Sequence, residues 1–505
     1  MKPELQDREV LTMYDVRGIQ SYIFKSNAAK EIVGASALVE KIITEGLQAY
    51  VRTLEPEERK TYMTDWKKDD PEAFLKDSSV KMQIMFIGGG NAYVLFRKGS
   101  VCQKVNRFLA RYILERTYSL NLAVAVVGRS DSYSDDYNAI NNEMRRIKAC
   151  MPLSMPIGAM PFMEADSVTG YPVVSHETEG ELSTEAKLKR NAFPEQEDEK
   201  IFDKMVTEKG DSSTLAVFHI DGNSMGSSIR EKMEKTHGYE DAIRTMRELS
   251  LNISETFRAV VDKMRKYMDR LSAEVRKDNR NKLYREIIVA GDDITFVCNA
   301  KLAIPAVEYF LRHIGDSGEF SACGGIAFFN SHFPFSDAYQ VAEACCDSAK
   351  KRAKLAENKV AETKVGNFLD FQICTNISAS NLDSYRDRHY RNAGKLCIAR
   401  PYYIPCLNDT KLNQKNARYD IGQLHIWQNY FRKMPRSKAK ELRNVIPMGE
   451  NEIKKEVSFL KSRGYNEFED SVEQYNIWYD ALEIMDWFIL DEEEITDEDN
   501  NKAAE

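Results

Sequence analysis

The stretch REIIVAGDDITFVC, residues 285–298, places two apolar runs on either side of a Gly-Asp-Asp step. Each run has the length and the β-branched content of a strand, and the glycine between them predicts a tight hairpin turn. Two adjacent carboxylates, Asp292 and Asp293, are costly beside apolar strands unless water or another charge compensates them. In isolation a solvated turn explains this pattern, so the neighbouring elements decide its interpretation.

The elements around this hairpin follow a recognisable order. LAVFHIDGNSMGSSI, residues 215–229, is an apolar strand that ends at Asp221 and is followed by a long helical pattern. After the hairpin come an amphipathic helix, PAVEYFLRHIGD at 305–316, and a closing strand, FSACGGIAFF at 320–329. The order β–α–β–β–α–β is that of a ferredoxin-like unit, in which the hairpin lies beside the first strand. We therefore expect Asp221 to converge on the two hairpin aspartates.

An earlier part of the chain repeats the same order of elements. The corresponding segments are LTMYDV at 11–16, KMQIMFIGGGNAYVLF at 81–96, VNRFLARYILERTY at 105–118 and LNLAVAVVG at 120–128. The separations along the chain also agree between the two sets, which indicates an internal duplication. The first copy keeps an aspartate at the end of its first strand, Asp15, but has Gly90-Asn91 where the second has Asp292-Asp293. We expect only the second copy to build a carboxylate site.

The sequence predicts an α+β fold in which two tandem ferredoxin-like domains are followed by a C-terminal helical domain. The expected intervals are 1–135 for the first, degenerate domain, 136–210 for a linker with a helix and a hairpin, 211–375 for the second domain, 376–490 for the helical domain and 491–505 for a disordered acidic tail. Within the linker, the Thr169-Gly170 step predicts a hairpin turn, and residues 176–200 predict a solvated stretch with a short helix.

Composition sets broad limits on the class of protein. The 505 residues are 43% hydrophobic and carry a net charge of -8, so no overall basic character indicates nucleic-acid binding, although a local basic groove remains compatible with it. The nine cysteines include no C-x-x-C pair, and Cys345-Cys346 is interpreted as part of a buried helix face in a reducing compartment. No apolar run approaches the length of a membrane span, so we expect a soluble, cytoplasmic protein without membrane contact.

Three converging aspartates predict a metal site. Asp221, Asp292 and Asp293 would repel one another unless hard cations bridge them, and two Mg²⁺ (or Mn²⁺) ions are the expected cofactors. Such a pair can activate a hydroxyl and stabilise a leaving pyrophosphate in line, so these aspartates are candidates for catalysis as well as for metal binding. The candidate nucleotide-binding residues are small residues whose backbone can approach phosphate, together with one lysine: Gly222, Asn223, Ser224, Met225, Gly226, Gly291 and Lys350. The alternative for Asp221-Gly222-Asn223 is a plain turn, and for Lys350 a solvated helix end.

These motifs resemble a known family. YDVRGIQSYIF at 14–24 and EIVGASALVEKI at 31–42 resemble the first palm domain of the large, polymerase-like subunit of type III CRISPR effector complexes. HIDGNSMG at 219–226, VAGDDITFV at 289–297 and AEACCDSAKK at 342–351 resemble its second palm domain, which is also similar to the GGDEF domain of diguanylate cyclases. The resemblance implies a stand-alone tandem palm protein that makes a cyclic oligonucleotide messenger from ATP or other nucleoside triphosphates in antiviral defence. It also implies that the first palm helps to hold a second nucleotide.

The sequence departs from this family at several points. The usual glycine pair before the aspartates is Ala290-Gly291 here, which is acceptable unless the first position needs a positive φ. The sequence has no His-Asp step, so we expect no DNase activity of the kind that many relatives carry in an N-terminal domain. The cysteine pairs that often bind zinc between the two palms are also missing.

Two other functions stay open at this point. The chain could be an RNA-binding subunit of an effector complex, with guide or target RNA and small subunits as partners and the palm pair mainly as scaffold. It could also bind nucleotide without turnover, although the three aspartates make this alternative weaker. A dimer is a possible state in any of these functions.

Overall fold

The structure is a computed structural model that describes residues 3–487 except 89, 152–157, 178–179, 195–200, 208–212, 237, 277–281, 362–363, 375–381, 393–394 and 469–471. The strands are β1 Val10–Arg17, β2 Tyr62–Met63, β3 Met82–Gly88, β4 Asn91–Phe96, β5 Asn121–Gly128, β6 Val173–Glu177, β7 Gly180–Ser183, β8 Thr214–Gly222, β9 Tyr284–Ala290, β10 Asp293–Asn299, β11 Ala322–Asn330, β12 Asn367–Ile373, β13 Arg391–Asn392, β14 Lys395–Leu396 and β15 Tyr402–Ile404.

The first nine helices are α1 Ile19–Ile23, α2 Ala29–Arg52, α3 Pro56–Arg59, α4 Ala73–Lys76, α5 Gly99–Thr117, α6 Tyr133–Cys150, α7 Thr184–Asn191, α8 Ile201–Met205 and α9 Met225–Glu234. The later helices are α10 Gly238–Val275, α11 Ala300–Asp316, α12 Phe335–Ala353, α13 Leu382–His389, α14 Thr410–Asn416, α15 Ile421–Lys433, α16 Arg436–Val445, α17 Glu450–Ser462 and α18 Val472–Glu483. Short 3-10 helices lie at Pro3–Leu5, Ala417–Tyr419 and Ile446–Met448.

The chain forms two compact units, and each takes its residues from several segments. The first unit contains Met1–Ile201, Ser224–Phe257 and Ile287–Asp292. The second contains Phe202–Asn223, Arg258–Glu286 and Asp293–Glu505. The polypeptide therefore passes from one unit to the other directly after Asn223 and again between Asp292 and Asp293.

The first unit is built on a five-stranded sheet in the order β2-β3-β4-β1-β5. Its last four strands have the ferredoxin-like arrangement, with β1 antiparallel to both β4 and β5. Side chains alternate between the faces of a strand, so Thr12 and Tyr14 contact Cys102 and Asn106 of α5, whereas Leu11 and Met13 belong to the core on the other face.

A segment that follows β8 in sequence completes the core of the first unit. Buried residues of α9 and of the first half of α10 share one hydrophobic cluster with strands β1, β3, β4 and β5 and with α6; they are Met233, Tyr239, Ala242, Ile243, Met246 and Leu249. Arg247 fixes this helix to β3 because its guanidinium donates to the carbonyls of Ile84 and Met85. The amphipathic pattern of α10 is thus satisfied by the first sheet over this stretch.

The short helix predicted between the two copies is present as α7, but the expectation that its surroundings are solvated is wrong. Glu185 and Lys189 are almost fully buried and form an ion pair, and Lys189 also donates to the carbonyl of Tyr22. The helix approaches α2 at Gly34, where a Cβ would lie 1.8 Å from the Lys189 carbonyl oxygen. Burial is possible because the two charges neutralise each other and because Gly34 has no side chain.

The turn predicted at Thr169-Gly170 is confirmed, since Ala165 and Pro172 on either side of it form a β-bridge.

The second unit is built on a six-stranded sheet in the order β15-β12-β11-β8-β10-β9. Strands β11, β8, β10 and β9 repeat the ferredoxin-like order of the first sheet, which confirms the predicted duplication. Helix α12 packs on β8, β11 and β12, and α11 packs on β8 and β11. The close approach of α12 depends on Gly325, where a Cβ would lie 2.0 Å from the carbonyl oxygen of Ala342.

Helices α14–α18 follow the sheet of the second unit, so the predicted C-terminal helical region is confirmed. Its core contains Trp427, Phe431, Phe468 and Trp478, whose rings contact one another. The acidic tail predicted at 491–505 lies outside the described residues. The α+β fold with two tandem palm-like sheets and a helical C-terminal region is as predicted.

Two further expectations concern the whole chain. All nine cysteines are free thiols, and all are buried except Cys150. Among the described helices, none has both the length and the apolar character that a bilayer crossing requires.

Candidate functional site

Asp221 and Asp293 face each other across neighbouring strands. The register of β8 and β10 pairs Ile220 with Ile294, so the next rung sets Asp221 opposite Asp293. Residues directly opposite in an antiparallel pair have Cβ atoms about 4.5–5.5 Å apart, and like charges there are destabilising. The Asp221 and Asp293 side chains remain 37% and 33% exposed. The predicted convergence of these two carboxylates on one sheet edge is therefore present.

Asp292 lies in the turn between β9 and β10 and is half-buried. Gly291 has a φ of 66°, so the turn places its left-handed residue at the position where glycine is least strained. Ala290 is not among the residues with positive φ. The replacement of the usual first glycine by alanine therefore causes no backbone strain in this hairpin.

Helix α12 supplies a cation to this edge of the sheet. The Lys350 ammonium donates to Asp221 Oδ2 and is largely buried. Burial alone would lower the pKa of Lys350, but the charge of Asp221 outweighs it, so the pKa is raised and the lysine is protonated at neutral pH. The predicted site residue Lys350 is thus brought together with Asp221.

Two acidic residues of α12 that were not predicted as site residues, Glu343 and Asp347, lie near the same edge. Burial raises the pKa of Glu343, and the charges of Asp347 and Asp221 raise it further. Glu343 and Asp347 lie four residues apart and share a helix face with Lys350. Their spacing from Lys350 was visible in the sequence, but nothing in it showed that this face would cover the strand with Asp221.

His219 lies beneath the two facing aspartates, two residues before Asp221 on the same face of β8. Its Nδ1 lies 3.2 Å from Thr295 Oγ1 and 3.5 Å from Asp293 Oδ1. Burial lowers the pKa of His219 to about 4, because the attraction of Asp221 does not compensate the lost hydration. The imidazole is therefore neutral at physiological pH.

The loop after Asp221 contains the residues predicted to approach phosphate. Asn223 is buried, and its side-chain amide donates to Ser321 Oγ and to the Gly366 carbonyl. Ser224 has a φ of 57° and immediately precedes α9, which begins at Met225. The remaining members of the set differ in accessibility: Gly222 is buried and Gly226 is exposed. A nucleotide-binding role for Gly222, Asn223, Ser224, Met225, Gly226 and Gly291 stays a prediction.

The first copy retains half of this arrangement. Asp15 is paired in register with Asn91, at the rung that corresponds to Asp221 and Asp293. Lys148 donates to Asp15 Oδ2, and it occupies the same position in α6 as Lys350 does in α12. Lys148 was not predicted as a site residue, although its distance from the start of α6 matches that of Lys350 in α12. The first copy therefore has the aspartate–lysine pair without the second carboxylate.

The facing carboxylates of Asp221 and Asp293 are oxygen donors of the kind that a hard divalent cation takes. A second group of possible metal ligands exists elsewhere: ligand atoms of Glu164, His176 and Glu181 lie within 4.8 Å of one another. All three residues are exposed, and exposed acidic groups often gather without an ion. The β8–β10 edge is consequently the better candidate for a functional site.

Comparison with known proteins adds an independent observation. Residues 214–361 match the family model of the Cas10/Cmr2 second palm domain. No curated protein matches the chain. Among solved structures, the crystal structure of a Csm1-Csm4 cassette in complex with cA4 is 14% identical with a TM-score of 0.49, covering 95% of this chain and 70% of that chain. The crystal structure of Csm1 from T. onnurineus is 13% identical with a TM-score of 0.48, covering 95% of this chain and 69% of that chain.

The segment matched by the family model extends from the start of β8 past the end of α12. It includes the three aspartates and Lys350, so the match covers the whole candidate site. Residues 214–361 of this chain are therefore similar to the second palm domain of the Cas10/Cmr2 family.

Proposed function

We propose that this chain is a Mg²⁺-dependent nucleotidyltransferase that joins nucleoside triphosphates, ATP by preference, into a cyclic oligonucleotide messenger for antiviral defence. The observation that carries the proposal is the facing pair Asp221 and Asp293 with the Lys350 ammonium beside it, within a palm domain of the Cas10/Cmr2 type. Two like charges on adjacent strands reduce stability, and a bound divalent cation would compensate their repulsion.

In this proposal Asp221, Asp292 and Asp293 would hold two Mg²⁺ (or Mn²⁺) ions. When bound, such ions lower the pKa of an attacking hydroxyl and neutralise a leaving pyrophosphate. Lys350 would bind the triphosphate from the α12 side, since its ammonium already lies at the carboxylate edge. Backbone N–H groups of residues 222–226 and of Gly291 would contact the remaining phosphate oxygens. The first palm would hold a second nucleotide beside Asp15 and Lys148 without a full metal site.

The decisive test incubates the protein with ATP or mixed nucleoside triphosphates and Mg²⁺ and identifies the products by mass spectrometry. We expect a cyclic product from the unmodified chain and none from the double variant Asp292→Ala/Asp293→Ala. The control is Asp383→Ala, since Asp383 is an acidic residue of the second unit, which also contains Asp293, and its side chain is 81% exposed. The metal-site assignment is wrong if the double variant still forms product at the rate of this control.

A second function is favoured by the charge of the C-terminal helices. Residues 432–463 contain ten lysines and arginines against four glutamates, in a chain of net charge -8. A local basic surface of this kind suits the phosphate backbone of RNA, so the chain could act as a subunit of an RNA-guided complex with small partner subunits. Copurification of RNA that is lost with rising salt would support this function. RNA-free protein that is active on ATP alone would show that RNA binding is not required for activity.

A further inference from the structure

The polar residues under the two facing carboxylates form a compact group. On β8 and β10 the register pairs His219 with Thr295, one pair of side chains below the rung of Asp221 and Asp293. All four side chains lie on the sheet face covered by α12, because alternate residues of a strand share a face. The buried pair is thus placed directly beneath the candidate metal ligands.

The imidazole of His219 has little freedom to move. It is 4% exposed, and the Tyr339 ring of α12 packs edge-on against it with 5.9 Å between ring centroids. Its Nδ1 has two oxygen atoms in reach, the Thr295 hydroxyl at 3.2 Å and Asp293 Oδ1 at 3.5 Å. A proton on Nδ1 is therefore directed toward the Thr295–Asp293 side of the strand.

Asp293 presents its two oxygens to different surroundings. Oδ1 is fully buried, whereas the side chain as a whole is 33% exposed. The accessible part of the carboxylate therefore excludes Oδ1, which faces His219. Because Oδ1 is buried 3.5 Å from the imidazole, Oδ2 is left as the oxygen for a cation.

The internal duplication provides a comparison for this arrangement. In the first copy the rung that corresponds to His219 and Thr295 pairs Met13 with Tyr93, and the rung above pairs Asp15 with Asn91. The copy without the second carboxylate thus has an apolar residue in place of the histidine. A histidine kept only to fill the core would not need to accompany Asp293, since Met13 fills the same place.

We propose that His219, with Thr295, is a positioning residue that holds the Asp293 carboxylate in its metal-binding orientation. The inference rests on the proposed function, because it assumes that Asp293 binds a divalent cation. Groups that hydrogen-bond to metal ligands fix the ligand's orientation, and their loss typically weakens metal affinity 10- to 100-fold.

The test measures Mn²⁺ affinity of the full chain without nucleotide, from the electron paramagnetic resonance signal of free Mn²⁺, together with the midpoint of thermal unfolding. We expect His219→Leu to weaken Mn²⁺ binding by about tenfold. His219→Asn should retain most of the affinity, because its amide nitrogen occupies the place of Nδ1 and can still donate. Thr295→Val should weaken binding less than His219→Leu, and Thr12→Val, a buried threonine of the first copy, should leave it unchanged.

Asp293→Asn separates this inference from the proposed function. If Asp293→Asn abolishes Mn²⁺ binding while His219→Leu and Thr295→Val bind normally, the positioning role is wrong and the metal site stands. If Asp293→Asn also binds Mn²⁺ normally, the proposed metal site itself is wrong. Should His219→Leu fail to fold, the His219→Asn and Thr295→Val variants decide. Equal loss of Mn²⁺ affinity in both variants would overturn the assignment of Nδ1 as the donor. Full Mn²⁺ affinity in both variants would overturn the role of the Thr295 contact.

Discussion

At the scale of single residues, the two copies differ by a few side chains around a shared aspartate–lysine pair. In each copy a helix lysine donates to the aspartate near the end of the first strand. Lys148 donates to Asp15 in the first copy, and Lys350 donates to Asp221 in the second; the two lysines occupy the same position in their helices. The second copy adds Asp293. A lysine that is common to both copies is consistent with a ligand that both copies would bind. The extra carboxylate, Asp293, is consistent with catalysis in the second copy alone.

We expect Lys350→Met to lower kcat/KM for ATP by about 10²-fold, the usual cost of losing one charged donor at a reacting phosphate. Steady-state rates of product formation would measure it. Lys351→Met is the matched control, because Lys351 is the next residue and its side chain is 74% exposed. Equal rates in Lys350→Met and the control would show that Lys350 only neutralises Asp221.

The sequence identified Asp221 and Asp293 because strand order alone determines that the ends of β8 and β10 are adjacent. It did not identify Lys148 or Glu343, since a helix pattern gives the apolar face but not the angle at which the helix crosses the sheet. His219 was hidden for a related reason: a single histidine in an apolar strand is ordinary, and its meaning comes from what lies across the rung.

At the scale of elements, the position of α12 depends on a glycine in β11. Gly325 is paired with His219 in register, and a Cβ on it would lie 2.3 Å from the Cys346 nitrogen as well as 2.0 Å from the Ala342 oxygen. Both atoms are backbone of α12, so the helix must move to admit a side chain. The first copy has Ala125 at the corresponding rung, opposite Met13.

We therefore expect Gly325→Ala to destabilise the protein by about 3 kcal/mol, the upper part of the usual range for overpacking. It should also reduce activity, because a displaced α12 carries Lys350 away from Asp221. Chemical denaturation followed by circular dichroism would measure the change. Gly226→Ala serves as the stability control, since nothing lies within 4 Å of its added Cβ. An unchanged unfolding midpoint for Gly325→Ala would contradict the packing described for α12.

A buried ion pair connects α13 to β12. The Arg386 guanidinium donates to both oxygens of Asp370, whose side chain is completely buried. Burial alone would raise the pKa of Asp370, but Arg386 outweighs it and the pKa is lowered. Because the folded-state pKa lies below the unfolded one, the stability from this pair is present above the unfolded pKa and is lost as the pH falls through the folded one.

We expect Arg386→Met to cost about 3–5 kcal/mol at neutral pH, since it leaves a buried carboxylate uncompensated. The loss should shrink when Asp370 is also replaced, as in Asp370→Leu/Arg386→Met. Urea denaturation at neutral pH would measure both variants. Arg391→Met is the control: its pair with Asp387 is 40% and 56% exposed, so about 0–1 kcal/mol is expected. Similar losses for the two arginines would contradict the burial assigned to the Asp370 pair.

At the scale of the whole molecule, the chain is a duplication in which two segments of the second copy, Ser224–Phe257 and Ile287–Asp292, belong to the first compact unit. The order of both sheets was predictable, because strand patterns and turn glycines are local signals. It was not predictable that Ser224–Phe257 belongs to the first unit. The pattern of an amphipathic helix shows that the helix needs an apolar surface, but it does not specify which sheet provides that surface. The buried Lys189–Glu185 pair was missed for the same reason, because a polar segment can be buried when its charges are paired.

The asymmetry of the copies can be tested by exchanging the residues that face the first-strand aspartates. In the presence of EDTA, Asp293→Asn should increase the free energy of unfolding by about 0.5 kcal/mol, because it removes one of two facing like charges. The unfolding midpoint should rise accordingly. Asn91→Asp should lower the midpoint by a similar amount, since it creates the same repulsion opposite Asp15. With excess Mn²⁺ the unmodified chain and Asn91→Asp should gain equal stability, whereas Asp293→Asn should gain none. One carboxylate should not be enough to build a site in the first copy, because Met13 and Asn141 stand where the second copy has His219 and Glu343. Additional Mn²⁺ bound by Asn91→Asp would show instead that the first copy lacks only that carboxylate.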